Sequence, residues 1–425
     1  MLDKFLSIFK IPELRTKILY VFGILAVFRL AATIPVAAVD PEALRKFFTE
    51  NQVFGILNVF TGGSLQQFSV VMLGLGPYIT AVIILQLLTM IFPKLKELYY
   101  ESGEQGREKF NFYGRILTVP LAMLQGYGFL ALLSRHGVIA ITPSFLSLRL
   151  LGSVLVVSAG AVFLMWLGEL ISRKGISNGV SLLIFGGIVA GLPITLIRNY
   201  ELLRQDASLL TSYIVLLLVG VIVIAGVTFI TESQRNIAVS YAKRIRGHRV
   251  YGGVSTYLPI KVNQAGMIPL IFALSVLIFP QTIFNFLSTT QSGWVAGIAS
   301  NLNRFFQQQL FFGIFYFLLV VVFTYFYTQI TFEPHTIAEN LQKQGAFIPG
   351  VRPGTETTAY LSRTVNRITL AGALFLGAVA VVPLIAQALT GIATLTIGGT
   401  AILIVVAVVL DTIRQVEAQL AMREY

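Results

Sequence analysis

The sequence contains no cysteine and carries few charges for its 425 residues. Without cysteine, a disulfide framework, a thiolate metal site and a thiol nucleophile are all excluded. Charged residues make up 12% of the chain and hydrophobic residues 56%, whereas soluble proteins have about 25% charged residues. One water-soluble core could not hide so much apolar side chain, so the composition predicts a polytopic membrane protein.

Motifs for catalysis and nucleotide binding are also missing. No G-x-x-x-x-G-K-[ST] motif occurs, so the chain has no P-loop for nucleotide phosphates. The histidines His136, His248 and His335 fall in separate predicted loops without the spacing of metal ligands. No Ser, His and Asp grouping suggests a nucleophile. We therefore expect neither enzymatic activity nor a cofactor or metal, and any work must be driven by a partner or a gradient.

Ionisable residues are scarce within the apolar runs. Glu169, Glu232 and Asp411 lie near predicted span ends, and Arg29 alone lies deeper. Ion-coupled transporters usually carry carboxylates or histidines inside the membrane. A relay of protonatable groups is therefore not expected, and a transport pathway would be apolar or lined by neutral polar groups. A secondary transporter of small solutes remains the alternative function.

Ten runs of about 20 apolar residues predict ten transmembrane helices. Ten spans put both termini on one side of the membrane, and the loops on that side hold most of the 31 Lys and Arg residues. The positive-inside rule then predicts cytoplasmic termini. The predicted cores are Ile18–Val39, Val70–Phe92, Ile116–Leu133, Leu150–Ile171, Val180–Ile197, Leu209–Ile230, Val262–Phe286, Leu310–Ile330, Ile368–Leu389 and Leu395–Leu410.

The predicted spans divide into two sets of five. Because five is odd, the second set enters the membrane from the opposite side, which predicts an inverted repeat with a site near the midplane. We place the N-terminal half at 1–200, with spans 1–5, and the C-terminal half at 201–425, with spans 6–10. The halves share no convincing sequence identity, so the inversion rests on topology alone.

Two predicted cytoplasmic loops, at about 231–261 and 331–364, are long enough to stand out of the membrane. β-forming residues in 236–241 predict a strand or hairpin in the first loop. The second loop predicts a helix that starts at Pro334 and stops at Gly345, followed by a rigid turn. Two interpretations stay open: ordinary solvated loop charge, or a docking surface for a large acidic partner such as ribosomal RNA or a motor protein.

The segment at about 53–68 is moderately apolar but is interrupted by Gly62-Gly63. The second span follows it almost immediately. A chain that stops and restarts in this way predicts a re-entrant half-helix, which membranes tolerate only where protein covers it or a cavity adjoins it. An interfacial amphipathic helix on the outer surface is the alternative.

Several short motifs occur in a fixed order along nearly the whole chain. They are Phe60-Thr61-Gly62-Gly63, Gly74-Leu75-Gly76-Pro77-Tyr78-Ile79, Glu104-Gln105-Gly106-Arg107, Met165-Trp166-Leu167-Gly168-Glu169, Gly175-Ile176-Ser177-Asn178-Gly179, Tyr241-Ala242-Lys243-Arg244, Lys261-Val262-Asn263 and the run from Gly345 to Gly354. The last is the most specific. Together these motifs resemble the SecY family of bacterial protein-conducting channels.

The resemblance implies an all-α membrane protein with ten transmembrane helices in two inverted five-helix halves and a re-entrant plug helix. It implies that the protein is the central channel of the Sec translocon. Such a channel passes unfolded secretory polypeptides across the plasma membrane and releases transmembrane segments laterally into lipid. The implied partners are SecE and SecG, the motor ATPase SecA, the ribosome, signal sequences, unfolded chains and membrane lipids.

The resemblance also assigns site residues. An apolar pore ring would draw on Leu75, Ile79, Val180, Ile184, Ile271 and Ile404. The plug would contain Phe60, Thr61, Gly62, Gly63, Ser64 and Leu65, and the lateral gate Thr80, Gln125 and Asn263. Cytoplasmic docking would use Arg244, Arg246, Arg249 and Arg352.

The spacing of the ring residues agrees with this assignment without deciding it. Leu75 and Ile79 are four residues apart, as are Val180 and Ile184, so each pair forms one helical stripe. Ordinary core packing gives the same spacing. An apolar wall offers no partner to ions and can gate a pore by dewetting. Leu75 and Val180 stand where the family pattern suggests isoleucine, and Gly76 where it suggests a larger residue.

Overall fold

The computed structural model describes residues 11–36, 39–40, 42–44, 47, 58, 61–100, 102–135, 137–139, 148–175, 177–205, 210–241, 244–246, 249–251, 255–266, 268–287, 293–390 and 394–421. Helices predominate in this part of the chain. They are α1 (Pro12–Ala31), α2 (Gly76–Ile91), α3 (Pro93–Tyr100), α4 (Gly103–Arg135), α5 (Leu148–Lys174), α6 (Gly179–Gln205), α7 (Leu210–Glu232), α8 (Ile268–Leu287), α9 (Gly293–Gln307), α10 (Gln309–Thr331), α11 (Pro334–Lys343), α12 (Thr355–Thr390) and α13 (Thr394–Ala421).

A helix overlaps each of the predicted apolar cores, because in lipid a single apolar segment can satisfy its backbone groups only as a helix. Among the described residues, six helices are long and apolar enough to cross a membrane. A seventh span is added if α2 and α3, which meet at a 116° bend, are counted as one. The prediction of a multi-pass helical membrane protein is therefore confirmed. The count of ten spans is consistent with these helices and stays a prediction.

Several helix ends differ from the predicted span boundaries. Helix α1 ends at Ala31, short of the predicted end, and α2 and α8 begin six residues later than predicted. Glycines with positive φ precede both late starts, at +59° for Gly74 and +62° for Gly266. Such a backbone conformation interrupts a right-handed helix. Apolar composition located the spans, but these local conformations set where the helices begin.

The chain forms two compact units that are interleaved in sequence. The first contains residues 1–218, 274–312 and 383–425, and the second contains 219–273 and 313–382. This division differs from the predicted sequential halves, whose inverted relationship stays a prediction. Much of the first unit's core consists of side chains from 65–73 and from helices α4 and α5.

The second unit contains a small sheet built from both long loops. Strand β1 (Gln234–Tyr241) pairs antiparallel with β4 (Ser255–Lys261) and also with β5 (Ala346–Phe347), so the sheet order is β4-β1-β5. Ile237, Val239 and Ile260 lie in its core, beside residues of α11 and α12. The strand predicted in the first loop and the helix predicted in the second are both confirmed.

Candidate pore and plug site

Residues 61–75 form a run of turns that is mostly buried, with Gln66 and Gln67 exposed. Gly62 and Gly63 have φ values of +67° and +80°, which a continuous helix cannot contain. The predicted plug helix is therefore wrong for 61–68, the part of the segment that the structure describes continuously. Phe60 and most of 53–59 lie outside the described residues.

Side chains within this segment satisfy its irregular backbone. The Ser64 hydroxyl donates to the carbonyls of Thr61 at 2.6 Å and Val71 at 3.2 Å. The backbone N–H of Gln66 donates to Oδ1 of Asn58 at 2.9 Å. Buried backbone groups without partners are costly, and non-helical backbone is tolerated at membrane depth only where protein covers it. These bonds explain how turns can persist here.

One end of the segment is tied to the chain that follows α1. The Val36 N–H donates to the Phe68 carbonyl at 3.0 Å, and the Val70 N–H donates to the Ile34 carbonyl at 2.8 Å. Both bonds join backbone groups and form a short antiparallel bridge centred on Pro35 and Ser69. This attachment therefore does not depend on which side chains are present.

The other end is held at Gly62 by two different helices. Nη1 of Arg29, in the last turn of α1, donates to the Gly62 carbonyl at 3.0 Å. On the other side, a Cβ built on Gly62 would lie 2.6 Å from the Cα of Gly187 in α6. Only glycine allows the backbones to approach this closely. Arg29, expected to lie deep in a span, is thus near a helix end and contacts the segment that contains the predicted plug.

Gly187 shares a helical face with two predicted ring residues. With 3.6 residues per turn, Val180 and Gly187 point in directions about 20° apart, and Ile184 lies close to both. The segment containing the predicted plug therefore lies against the face of α6 that carries Val180 and Ile184. The contact itself is with Gly187, and the pore role of Val180 and Ile184 stays a prediction.

The remaining ring residues divide between the two units. Leu75 and Ile79 are buried at the start of α2, where the Ile79 N–H donates to the Leu75 carbonyl at 3.0 Å. Ile404 is buried on α13, which packs against α6. Ile271 is buried in the second unit. The closed ring itself stays a prediction.

The predicted gate residues make local contacts. The Thr80 hydroxyl donates to the Gly76 carbonyl in its own helix at 2.9 Å. Gln125 lies beside the same turn, with Oε1 3.9 Å from a Cβ built on Gly76. Asn263 is buried in the second unit, and its Nδ2 donates to the Gly266 carbonyl at 3.2 Å. The lateral gate stays a prediction.

An ion pair that the sequence did not reveal joins α4 to α5. Nε of Arg115 donates to Oε1 of Glu169 at 2.6 Å, with side chains 32% and 18% exposed. Arg115 directly precedes the predicted core Ile116–Leu133, and α4, which begins at Gly103, includes it. The only signal in the sequence was a lone carboxylate and a lone guanidinium near predicted span ends, and their contact depends on tertiary packing.

The predicted docking residues all lie in the second unit. Arg352 is exposed in the turn before α12, where the hydroxyl of buried Thr357 donates to its carbonyl at 2.8 Å. Arg244 and Arg246 lie in β2 (Arg244–Arg246), and Arg249 lies in β3 (Arg249–Tyr251). These strands pair antiparallel with Arg246 opposite Arg249. This register puts the three hairpin arginine positions on one face of the ribbon.

Known proteins resemble this chain along its whole length. The SecY family model matches residues 69–413. The chain belongs to the SecY family. The protein translocase subunit SecY of Streptomyces scabiei is 42% identical, with 100% of this chain and 99% of the relative covered. The subunit of Thermus thermophilus is 43% identical, with 100% and 97% covered. The family resemblance seen in the motifs is confirmed.

Solved structures agree on the SecY fold. A structure described as that of a protein conducting channel matches with a TM-score of 0.65 and 19% identity, covering 94% of this chain and 91% of that one. Canine Sec61, in a ribosome-channel complex from the endoplasmic reticulum, matches with a TM-score of 0.61 and 18% identity, covering 94% and 91%. At these identities the likeness establishes the fold.

Proposed function

We propose that this protein is the central protein-conducting channel of a Sec translocon. It passes unfolded secretory polypeptides across the plasma membrane and releases transmembrane segments sideways into lipid. The family membership supports this function, since the relatives are named protein translocase subunits. The alternative, a secondary transporter of small solutes, gains no support from these relatives.

The observation that carries the proposal is the contact between residues 61–75 and α6. A bundle that served only as a scaffold would gain nothing from burying a run of turns among its helices. Here the segment meets the face of α6 with Val180 and Ile184 through a glycine pair, Gly62 and Gly187. Two glycines present no interlocking side chains, so the Gly62 end of the segment can separate from α6 without pulling side chains apart at that contact. It suits a removable plug over an apolar ring.

The chain acts as a passive conduit without catalysis of its own. Transport is driven by SecA or by a translating ribosome, which dock on the cytoplasmic loops of the second unit. Both termini are cytoplasmic, and SecE and SecG complete the complex. Two solved neighbours are channels associated with ribosomes: canine Sec61, and the yeast Ssh1 complex bound to the 80S ribosome. The exposed Arg352 supports the proposed docking surface.

Crosslinking of an arrested substrate tests the channel function. The protein is reconstituted with SecE, SecG and SecA, and a photoreactive residue replaces Ile79 in α2 or Ile184 in α6. Exposed positions on the same helices, Ile91 and Ile194, are the matched controls. We expect a secretory chain stalled in transit to crosslink at Ile79 and Ile184 and not at the controls. Absence of crosslinks at both ring positions would contradict a central pore.

A further inference from the structure

The segment 61–75 is attached at its two ends by interactions of different kinds. Near Ser69, backbone bonds to 34–36 hold it. At Gly62, it is held by one guanidinium and by close packing on Gly187. The first attachment uses backbone groups only, whereas the second also depends on the side chain of Arg29.

The position of Arg29 favours this contact. The residue lies in the last turn of α1, where its positive charge also complements the carbonyl end of the helix dipole. Its long stem lets a charged group near the helix end reach a neighbouring backbone. A charged donor to a carbonyl makes a stronger hydrogen bond than a neutral one. The neighbouring Phe28 ring also packs on Gly62, with Cζ 3.2 Å from a Cβ built there.

We propose that Arg29 is a positioning residue that latches the plug. Its guanidinium holds the Gly62 end of the segment on the ring-bearing face of α6. When the bond breaks, that end leaves α6 while the Ser69 end stays attached to 34–36. The plug then opens as a tethered flap. This inference rests on the proposed channel function, and it adds the residue that sets the resting balance between closed and open states.

Ion leak through the resting channel tests the latch. The complete complex with SecE and SecG is reconstituted in vesicles loaded with a halide-sensitive dye, without substrate or motor. Arg29→Met removes the donor and keeps an apolar stem, so the open fraction rises about ten- to a hundredfold. Arg29→Lys restores a charged donor, so its ion leak should fall most of the way back to that of the original protein. The proposal would be overturned if Arg29→Met leaked no more than the original protein.

A substitution at Gly187, the glycine of α6 that meets Gly62, tests the contact independently of Arg29. A Cβ built on Gly187 would lie 2.7 Å from the Cα of Gly62. Gly187→Ala should therefore displace the segment from α6 and raise the leak. Gly191→Ala is the matched control, because nothing lies within 4 Å of a Cβ built at Gly191. We expect no added leak from the control. Equal leaks from both variants would contradict the packing of the segment on Gly187.

Thiol labelling shows which end moves. Because the chain has no native cysteine, Leu65→Cys and Ser69→Cys each introduce a single thiol at a buried position. With Arg29→Met, a membrane-impermeant maleimide labels the thiol at position 65 about tenfold or more faster, while labelling at position 69 stays slow. Equal acceleration at both positions would contradict a tethered flap, and no acceleration at position 65 would contradict the latch.

The latch and the channel function fail in distinguishable ways. If the original protein does not translocate a secretory polypeptide but Arg29→Met still exposes position 65, the proposed function is wrong and the contact stands. If the original protein translocates normally but Arg29→Met changes neither leak nor labelling, the latch is wrong and the channel stands. Thermal unfolding of each variant identifies any change caused by loss of the fold.

Discussion

Tyr241 and Ala346 lie opposite each other in an antiparallel ladder, although they belong to different long loops. Ser240 and Phe347 form the next pair of this ladder. The two loops therefore fold as one body around a shared apolar core. A rigid sheet positions a binding surface more precisely than two independent loops would. The turn with Arg352 and the strand leading to the β2–β3 hairpin are parts of this body.

Reversal of the charge at Arg352 should abolish motor-driven transport. A like charge opposite an acidic partner costs several kcal/mol, so Arg352→Glu should reduce ATP-driven translocation by SecA more than tenfold. The side chain is exposed, so thermal unfolding in detergent should change by less than about 0.5 kcal/mol. Lys261→Glu, an exposed charge reversal at the end of β4, is the control. Normal translocation by Arg352→Glu would contradict the docking assignment.

Gly160 allows the segment 61–75 to pack on α5. A Cβ built on Gly160 would overlap the carbonyl oxygen of Val70. Gly160→Ala should therefore destabilise the protein by about 1–3 kcal/mol through overpacking, measured by thermal unfolding of the purified complex. Gly152→Ala, in the same helix, meets nothing within 4 Å and should be neutral or slightly stabilising. Equal stability of the two variants would contradict this packing.

Removal of Arg115 should weaken the packing of α4 on α5. Arg115→Gln leaves Glu169, whose side chain is 18% exposed, without its cation. We expect a loss of about 1–3 kcal/mol in the free energy of unfolding. For comparison, Glu339 and Lys343 form an exposed pair on α11, where water and salt screen the attraction, so Glu339→Gln should cost much less than Arg115→Gln. If the double variant Arg115→Gln/Glu169→Gln is as unstable as the two losses added, the pair has no coupling.

Asn263→Leu should alter the stringency of signal-sequence selection. The substitution removes the hydrogen bond to the Gly266 carbonyl in the turn that leads into α8. Interhelical hydrogen bonds in membranes are worth about 0.6 kcal/mol on average, and a bond of the same strength in this turn predicts a roughly threefold change in export of substrates with weak signals. Gln264→Leu, in the same turn, is the control. A lower melting temperature with unchanged export would indicate a purely structural turn.

Local patterns in the sequence predicted the elements of this fold well. Apolar runs located the helices because lipid leaves a single apolar segment no other way to satisfy its backbone. β-forming residues located β1, and Pro334 and Gly345 bracketed α11. The glycines at 62 and 63 correctly marked an interruption, but they did not indicate that the buried backbone around them forms turns. Side-chain bonds within the folded segment decide that.

The sequence by itself determined a multi-pass helical membrane protein, and its motifs identified the SecY family. Only the tertiary structure decided which distant groups meet: Arg29 with Gly62, Arg115 with Glu169, and Tyr241 with Ala346. Helical spacing is the same for a stripe facing a pore and a stripe facing a core. The choice between the two stays a prediction, whereas the close approach of Gly62 to Gly187 was decided by the tertiary structure, because it depends on how separate parts of the chain pack.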